Sequence, residues 1–152
     1  MMKIVLADKA GMEQMKDALA GIDVEVVSME EAHISEEAVG GITFEQKAFE
    51  RARHVSKQFK RGWAIAVAVG AGEDEASMRR IFDKLKSLPP NRRWETFKVL
   101  VVLISPDGQE YDFEGSMRGT IFPEAQSGSP VILSYRGKLF EEVRDFLREI
   151  PS

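Results

Sequence analysis

Cysteine is absent from this 152-residue chain, which excludes disulfides, thiolate nucleophiles and cysteine-ligated zinc. The absence fits a reducing cytoplasm. Histidine is almost absent: His33 and His54 are too few and too isolated to build a metal site. There is no surplus of basic charge either. Twenty-one Lys and Arg against 25 Asp and Glu leave a net charge of -4 and a pI near 5.3, so no overall field draws nucleic acid or an anionic membrane. The basic cluster Lys57-Gln58-Phe59-Lys60-Arg61 is short and reads as a solvated helix end. No apolar run approaches membrane-spanning length. At the start, Ile4-Val5-Leu6-Ala7 gives way at once to Asp8-Lys9, unlike the hydrophobic region of a signal peptide. A cytoplasmic protein with neither nucleic-acid nor membrane partners is the expectation.

What is present suits one domain over residues 1–152, with 43% hydrophobic and 30% charged residues. Lys3 to Ala7 reads as a buried strand, and Met12 to Leu19 as a helix with Met12, Met15 and Leu19 on one face. Asp23 to Ser28 alternates like a second strand, and the acid-rich stretch from Met29 to Gly41 reads as a loop. Phe44, Ala48, Ala52, Val55 and Phe59 then recur at helical spacing. Thr43 with Gln46 three residues later predicts a capping box, in which the Gln46 amide bonds back to the Thr43 N–H. Trp63 to Val69 is a continuous apolar strand. Glu75 to Leu88 is a helix with Met78, Ile81, Phe82 and Leu85 inward, stopped by Pro89-Pro90. Phe97 to Ile104 turns at Ser105-Pro106-Asp107-Gly108 into a second hairpin strand that continues through Arg118 to Phe122. After a Ser127–Pro130 loop come the short run Val131-Ile132-Leu133 and a closing helix over Gly137 to Ile150.

The segment Gly41-Ile42-Thr43-Phe44-Glu45-Gln46-Lys47-Ala48, continued by Arg51-Ala52-Arg53, resembles the Thr-Phe-x-Glu-Asn-Ala…Lys-Ala-Arg signature of the inosine/xanthosine triphosphate pyrophosphatases. Arg93 to Phe97 with Ser105-Pro106-Asp107-Gly108 resembles the hairpin of that family. Gly115 to Ile121 resembles its Gly-x-x-x-Gly-x-Ile strand, and Ser134-Tyr135-Arg136-Gly137 its Ser-His-Arg-Gly. The resemblance covers nearly the whole chain. It implies an α/β fold, a central mixed sheet flanked by helices, in the two-lobed, anticodon-binding-like architecture of the family, shortened. The family implies Mg²⁺-dependent cleavage of inosine- and xanthosine-type triphosphates to monophosphate and pyrophosphate, by dimers.

The chemical positions depart from that pattern. The family's signature Glu and Asn stand here as Gln46 and Lys47. Its phosphate-cradling turn Gly-Asn-x-x-Lys reads Asp8-Lys9-Ala10-Gly11-Met12-Glu13, where two acids would repel a triphosphate and Lys9 is out of place. Its Ala-Asp-Asp-Ser-Gly strand end reads Ala66-Val67-Ala68-Val69-Gly70. Its base-binding loop shrinks to Ser127-Gly128-Ser129-Pro130, and its His becomes Tyr135. Hydrolysis of a phosphoanhydride needs Mg²⁺, a base for water and a phosphate clamp, and these replacements touch all three.

Surviving candidates for substrate contact are Arg53 and Arg136, each able to hold a phosphate bidentately, Lys47 as an added charge, and Tyr135 as a stacking ring. Surface ion pairs and ring packing are the ordinary roles that compete with these. Glu73, Asp74 and Glu75 offer a rebuilt metal site, although an acidic first turn is what a helix dipole favours anyway. Glu50 is one turn beyond Gln46 and reads as a solvated salt-bridging residue. The preferred reading is an impaired homologue with no catalytic residues and no cofactor, which binds a purine nucleotide or a protein partner, a homodimer included. Two others stay open: an active pyrophosphatase using Mg²⁺ at a rebuilt site, and a hydrolase of smaller phosphorylated substrates. Gln46→Glu alone is expected to release no pyrophosphate from inosine triphosphate with Mg²⁺, because residues 67 and 68 remain apolar. Turnover by that variant in a pyrophosphate assay would refute the impaired reading.

Overall fold

Three short apolar runs build the parallel half of a single sheet, and a long hairpin builds the antiparallel half. In the computed structural model, residues 1–8, 11–35, 43–70, 75–121, 131–132 and 137–150 are described. The first strand, β1 (Met2–Leu6), pairs in parallel with β2 (Val24–Ser28) on one side and β3 (Trp63–Gly70) on the other. β3 then pairs antiparallel with β4 (Trp94–Ile104), β4 with β5 (Glu110–Ile121), and β5 with the two-residue β6 (Val131–Ile132). The sheet order is β2-β1-β3-β4-β5-β6. This is the expected α/β architecture, a mixed central sheet flanked by helices.

The order reverses at β1, and right-handed crossovers then require the two connecting helices to lie on opposite faces. Helix α1 (Met12–Ala18) joins β1 to β2 and buries Met15 against Ile4 and Leu6. Helix α2 (Phe44–Gln58) precedes β3 and buries Ala48, Ala52 and Val55 on the other face, against Val5, Ala64, Ala66 and Ala68. α3 (Glu75–Lys86) and α4 (Lys138–Arg148) share the α1 face, where Leu85, Leu139, Phe140, Val143 and Leu147 join the larger core. Strand alternation sorts the two sets: Ile65, Val67, Val99 and Val101 face the larger core, while the alanines of β3 face α2.

The expected turn at Ser105–Gly108 forms, with the Gly108 N–H donating to the Ser105 carbonyl at 2.9 Å and Gly108 at φ +91°. Several boundaries shift from expectation, and two of the shifts bear on the hairpin. β4 starts at Trp94 rather than Phe97, because Glu95 and the exposed Thr96 interrupt the apolar run that marks the strand. α3 stops at Lys86, and a 3-10 turn over Pro90–Arg92 fills the approach to β4. The side chain of Met78, the Ser127–Pro130 loop, Phe122 and Leu133 lie outside the described residues. Among the described residues no helix is long and apolar enough to cross a membrane.

Gly70 shows how closely α2 is seated. A Cβ there would lie 2.2 Å from the Phe44 ring, which packs directly on the glycine backbone. Gly70→Ala is expected to destabilise the fold by about 1–3 kcal/mol through overpacking. Urea unfolding measures this, and an unchanged midpoint would show that Phe44 does not rest there.

Candidate functional site

In open α/β sheets the crevice for ligands lies beyond the carboxyl ends of the strands where the order reverses. Here that point is the end of β1, flanked by β2 and β3. Backbone pairing between β1 and β3 runs out early. Leu6 is the last register partner, opposite Ile65, and the Ala7 N–H still donates to the Ile65 carbonyl at 2.8 Å. The next rung of β3 on that side, without a β1 partner, is Val67. Its N–H donates to Asp8 Oδ2 at 2.8 Å, and its carbonyl accepts from Arg51 Nη2 at 3.1 Å. Arg51 Nε in turn donates to Asp8 Oδ1 at 3.0 Å. Two side chains thus continue the ladder past the end of β1, satisfying backbone groups that would otherwise be buried without partners.

The pair is mostly enclosed, with the Asp8 side chain 15% and the Arg51 side chain 29% exposed. Burial pushes the Asp8 carboxyl above its ordinary value, against the opposing pull of the Arg51 charge and of the hydrogen bonds from Val67 and Arg51. An acid whose pKa is raised on folding holds its proton more tightly in the native state. Its contribution to stability is therefore lost as pH rises from the unfolded value through the folded one.

The other sequence candidates fall in several places. Gln46 completes the capping box: its N–H donates to Thr43 Oγ1 at 3.1 Å, and its Oε1 accepts from the Thr43 N–H at 3.3 Å. Lys47 is half-buried in the first turn of α2. Arg53 lies further along α2, where it clasps Glu110 through Nε at 2.7 Å and Nη2 at 2.9 Å, bonds Glu50 at 2.9 Å and covers the Phe49 ring at 5.3 Å. The hydrogen bonds that Arg53 donates to Glu110 hold the Arg53 pKa above its ordinary value, and the same bonds hold Glu110 below its own. Glu73, Asp74, Tyr135, Arg136 and Lys9 lie outside the described residues, and Glu75 contributes only its backbone, at the start of α3.

The structure thus brings together Asp8, Arg51 and Val67, and it places Arg53 in a separate cluster with Glu110. Sequence reading took Asp8 as a charge hostile to phosphate and passed over Arg51. Their partnership spans 43 residues, and that of Arg53 with Glu110 spans 57, so no local pattern signals either. As a place for Mg²⁺, the described residues fit poorly. Both oxygens of Asp8 are engaged, the Gln46 carbonyl is held in the cap, and Val67 and Ala68 are buried apolar positions. Among the described residues no three His, Asp or Glu side chains converge. Mg²⁺ takes carboxylate oxygens together with waters and substrate phosphates.

No family model matches the chain. It is 26% identical to the dITP/XTP pyrophosphatase of Vibrio vulnificus (strain YJ016) over 198 aligned positions, covering 99% of each protein. It is 29% identical to the dITP/XTP pyrophosphatase of Caldanaerobacter subterraneus subsp. tengcongensis over 135 positions, 75% of this chain and 67% of that protein. The first alignment is longer than the chain itself, so the relative carries segments that face gaps here. Among solved structures, a HAM1 protein from Coxiella burnetii superposes with a TM-score of 0.64 at 20% identity, covering 99% of this chain and 100% of that one, and this likeness concerns the fold.

Arg51→Ala is expected to cost about 2–3 kcal/mol at neutral pH, by leaving a buried carboxylate without its charged partner. The loss shrinks as pH falls and Asp8 takes up a proton. Chemical denaturation across a pH series checks this, and a penalty that stays flat with pH would separate Arg51 from Asp8.

Proposed function

We infer that this chain, a member of the ITPase-like family by sequence and fold, is a catalytically impaired homologue that holds a purine nucleotide without hydrolysing it. The observation that carries this reading is the bracketing of Val67. Where the resemblance calls for acids that bind metal and activate water, the strand end offers an apolar side chain. Its backbone is already saturated by Asp8 and Arg51. Each Asp8 oxygen already accepts one hydrogen bond, and the Arg51 charge beside the carboxylate opposes a second cation there. The relatives are dITP/XTP pyrophosphatases, which supports a purine nucleotide as the ligand class. Mg²⁺, if the chain were active, would supply charge neutralisation on the phosphates.

Isothermal titration calorimetry of inosine triphosphate with Mg²⁺ tests this reading. A saturable isotherm with no continuing heat is the expected outcome. Sustained heat from turnover would overturn the impaired assignment and point to a rebuilt site. No signal from a folded sample would overturn the nucleotide assignment and leave the fold to protein contacts.

A further inference from the structure

Among the described residues only two large apolar side chains stand in the open, Met1 at the chain start and Trp94 at 51% exposure. Trp94 opens β4 on a face it shares with Thr96 and Lys98, all three exposed. On β5, Ser116 and Arg118 are exposed on the same face. The register sets Arg118 opposite Thr96, Ser116 opposite Lys98 and Thr120 opposite Trp94. Arg118 is therefore the diagonal neighbour of both Trp94 and Lys98, about 7–8 Å from each by antiparallel geometry.

This patch adjoins the site already described. Lys98 is the register partner of Gly70, on which the Phe44 ring of α2 rests, so the open face begins where the cover from α2 ends. Toward the hairpin turn the same face becomes acidic, through Glu114 and Asp112 opposite Leu100 and Val102. An anion is thereby confined to the Trp94 end. Arg51 and Arg53 are both committed to carboxylates, whereas Lys98 and Arg118 make no side-chain hydrogen bond or ion pair with any described residue.

We propose that this open end of the β4–β5 face is a nucleotide subsite, with Trp94 stacked on the purine base and Arg118 and Lys98 on the phosphates. An aromatic ring on a sheet surface flanked by cations suits a base and its phosphates, because every base offers a π-face and Arg can grip phosphate with two donors. Two side-chain cations supply the neutralising charge, so binding needs no metal and weakens with added salt. The proposal rests on the purine-nucleotide reading above and adds where that ligand sits.

The test is intrinsic fluorescence titration with inosine triphosphate in EDTA. The chain has two tryptophans, and Trp63 is 6% exposed, so quenching reports on Trp94. Saturable quenching is expected from the unaltered protein. By calorimetry, Trp94→Ala is expected to weaken the nucleotide about tenfold while leaving the affinity for inorganic pyrophosphate unchanged. Arg118→Gln with Lys98→Gln is expected to weaken both ligands. An unaltered protein that binds, beside variants that bind equally well, would overturn the subsite and leave the nucleotide reading standing. An unaltered protein that binds nothing overturns both. Tighter, Trp94-dependent binding of a single-stranded oligonucleotide would overturn the assignment to a mononucleotide.

Discussion

The rest of the molecule depends on one close approach, that of α2 to β3 across a seam of small side chains. Ala48 and Ala52 of the helix meet Ala64, Ala66 and Ala68 of the strand, and Gly70 leaves room for the Phe44 ring. With so little side-chain volume between them, helix and sheet have almost no freedom to slide. That position decides what polar side chains of α2 can reach. Arg51 extends to the Val67 carbonyl, and Arg53 extends to Glu110 on the hairpin. Larger side chains in the seam would lift the helix and break both contacts together.

Asp8 and Arg51 act as a surrogate strand. Where β1 departs, the two side chains supply one acceptor and one donor to the same residue of β3, in the sense a neighbouring strand would. The arrangement sets a mostly enclosed ion pair at the end of β1, where the strand order reverses. The apolar side chains at 67 and 68 and the engagement of Asp8 belong to one arrangement seen from two sides. An apolar strand end needs its backbone satisfied from within, and the internal ion pair does this.

Much of the fold was legible because its signals are local. The alternation around Val24 and Val26, the stripe from Phe44 to Phe59, the Thr43–Gln46 cap and the Ser-Pro-Asp-Gly turn each depend on residues a few positions apart. β4 extends three residues beyond the expected start, since Glu95 and the water-facing Thr96 carry no apolar signal. The candidate site was legible in what it lacks and opaque in what replaces it. The departure of Gln46, Val67 and Ala68 from the resembled signature is visible in one line of text. The pairing of Asp8 with Arg51 is a tertiary fact, joining a loop to the middle of a helix that no periodicity connects. The open face of Trp94, Lys98 and Arg118 was likewise hidden, because it exists only once the hairpin register is known.

The hairpin has a mechanical property beyond its pairing. Among the described residues β3 accompanies β4 as far as the Gly70–Lys98 pair, and residues 94–97 have β5 as their strand neighbour. On the α1 side this overhang is propped by Phe97, buried beside Phe82 of α3 at 6.2 Å between ring centroids. Phe97 and Phe82 thus support the overhang from one face of the sheet while the alanine seam holds α2 on the other, so the two are set by different residues.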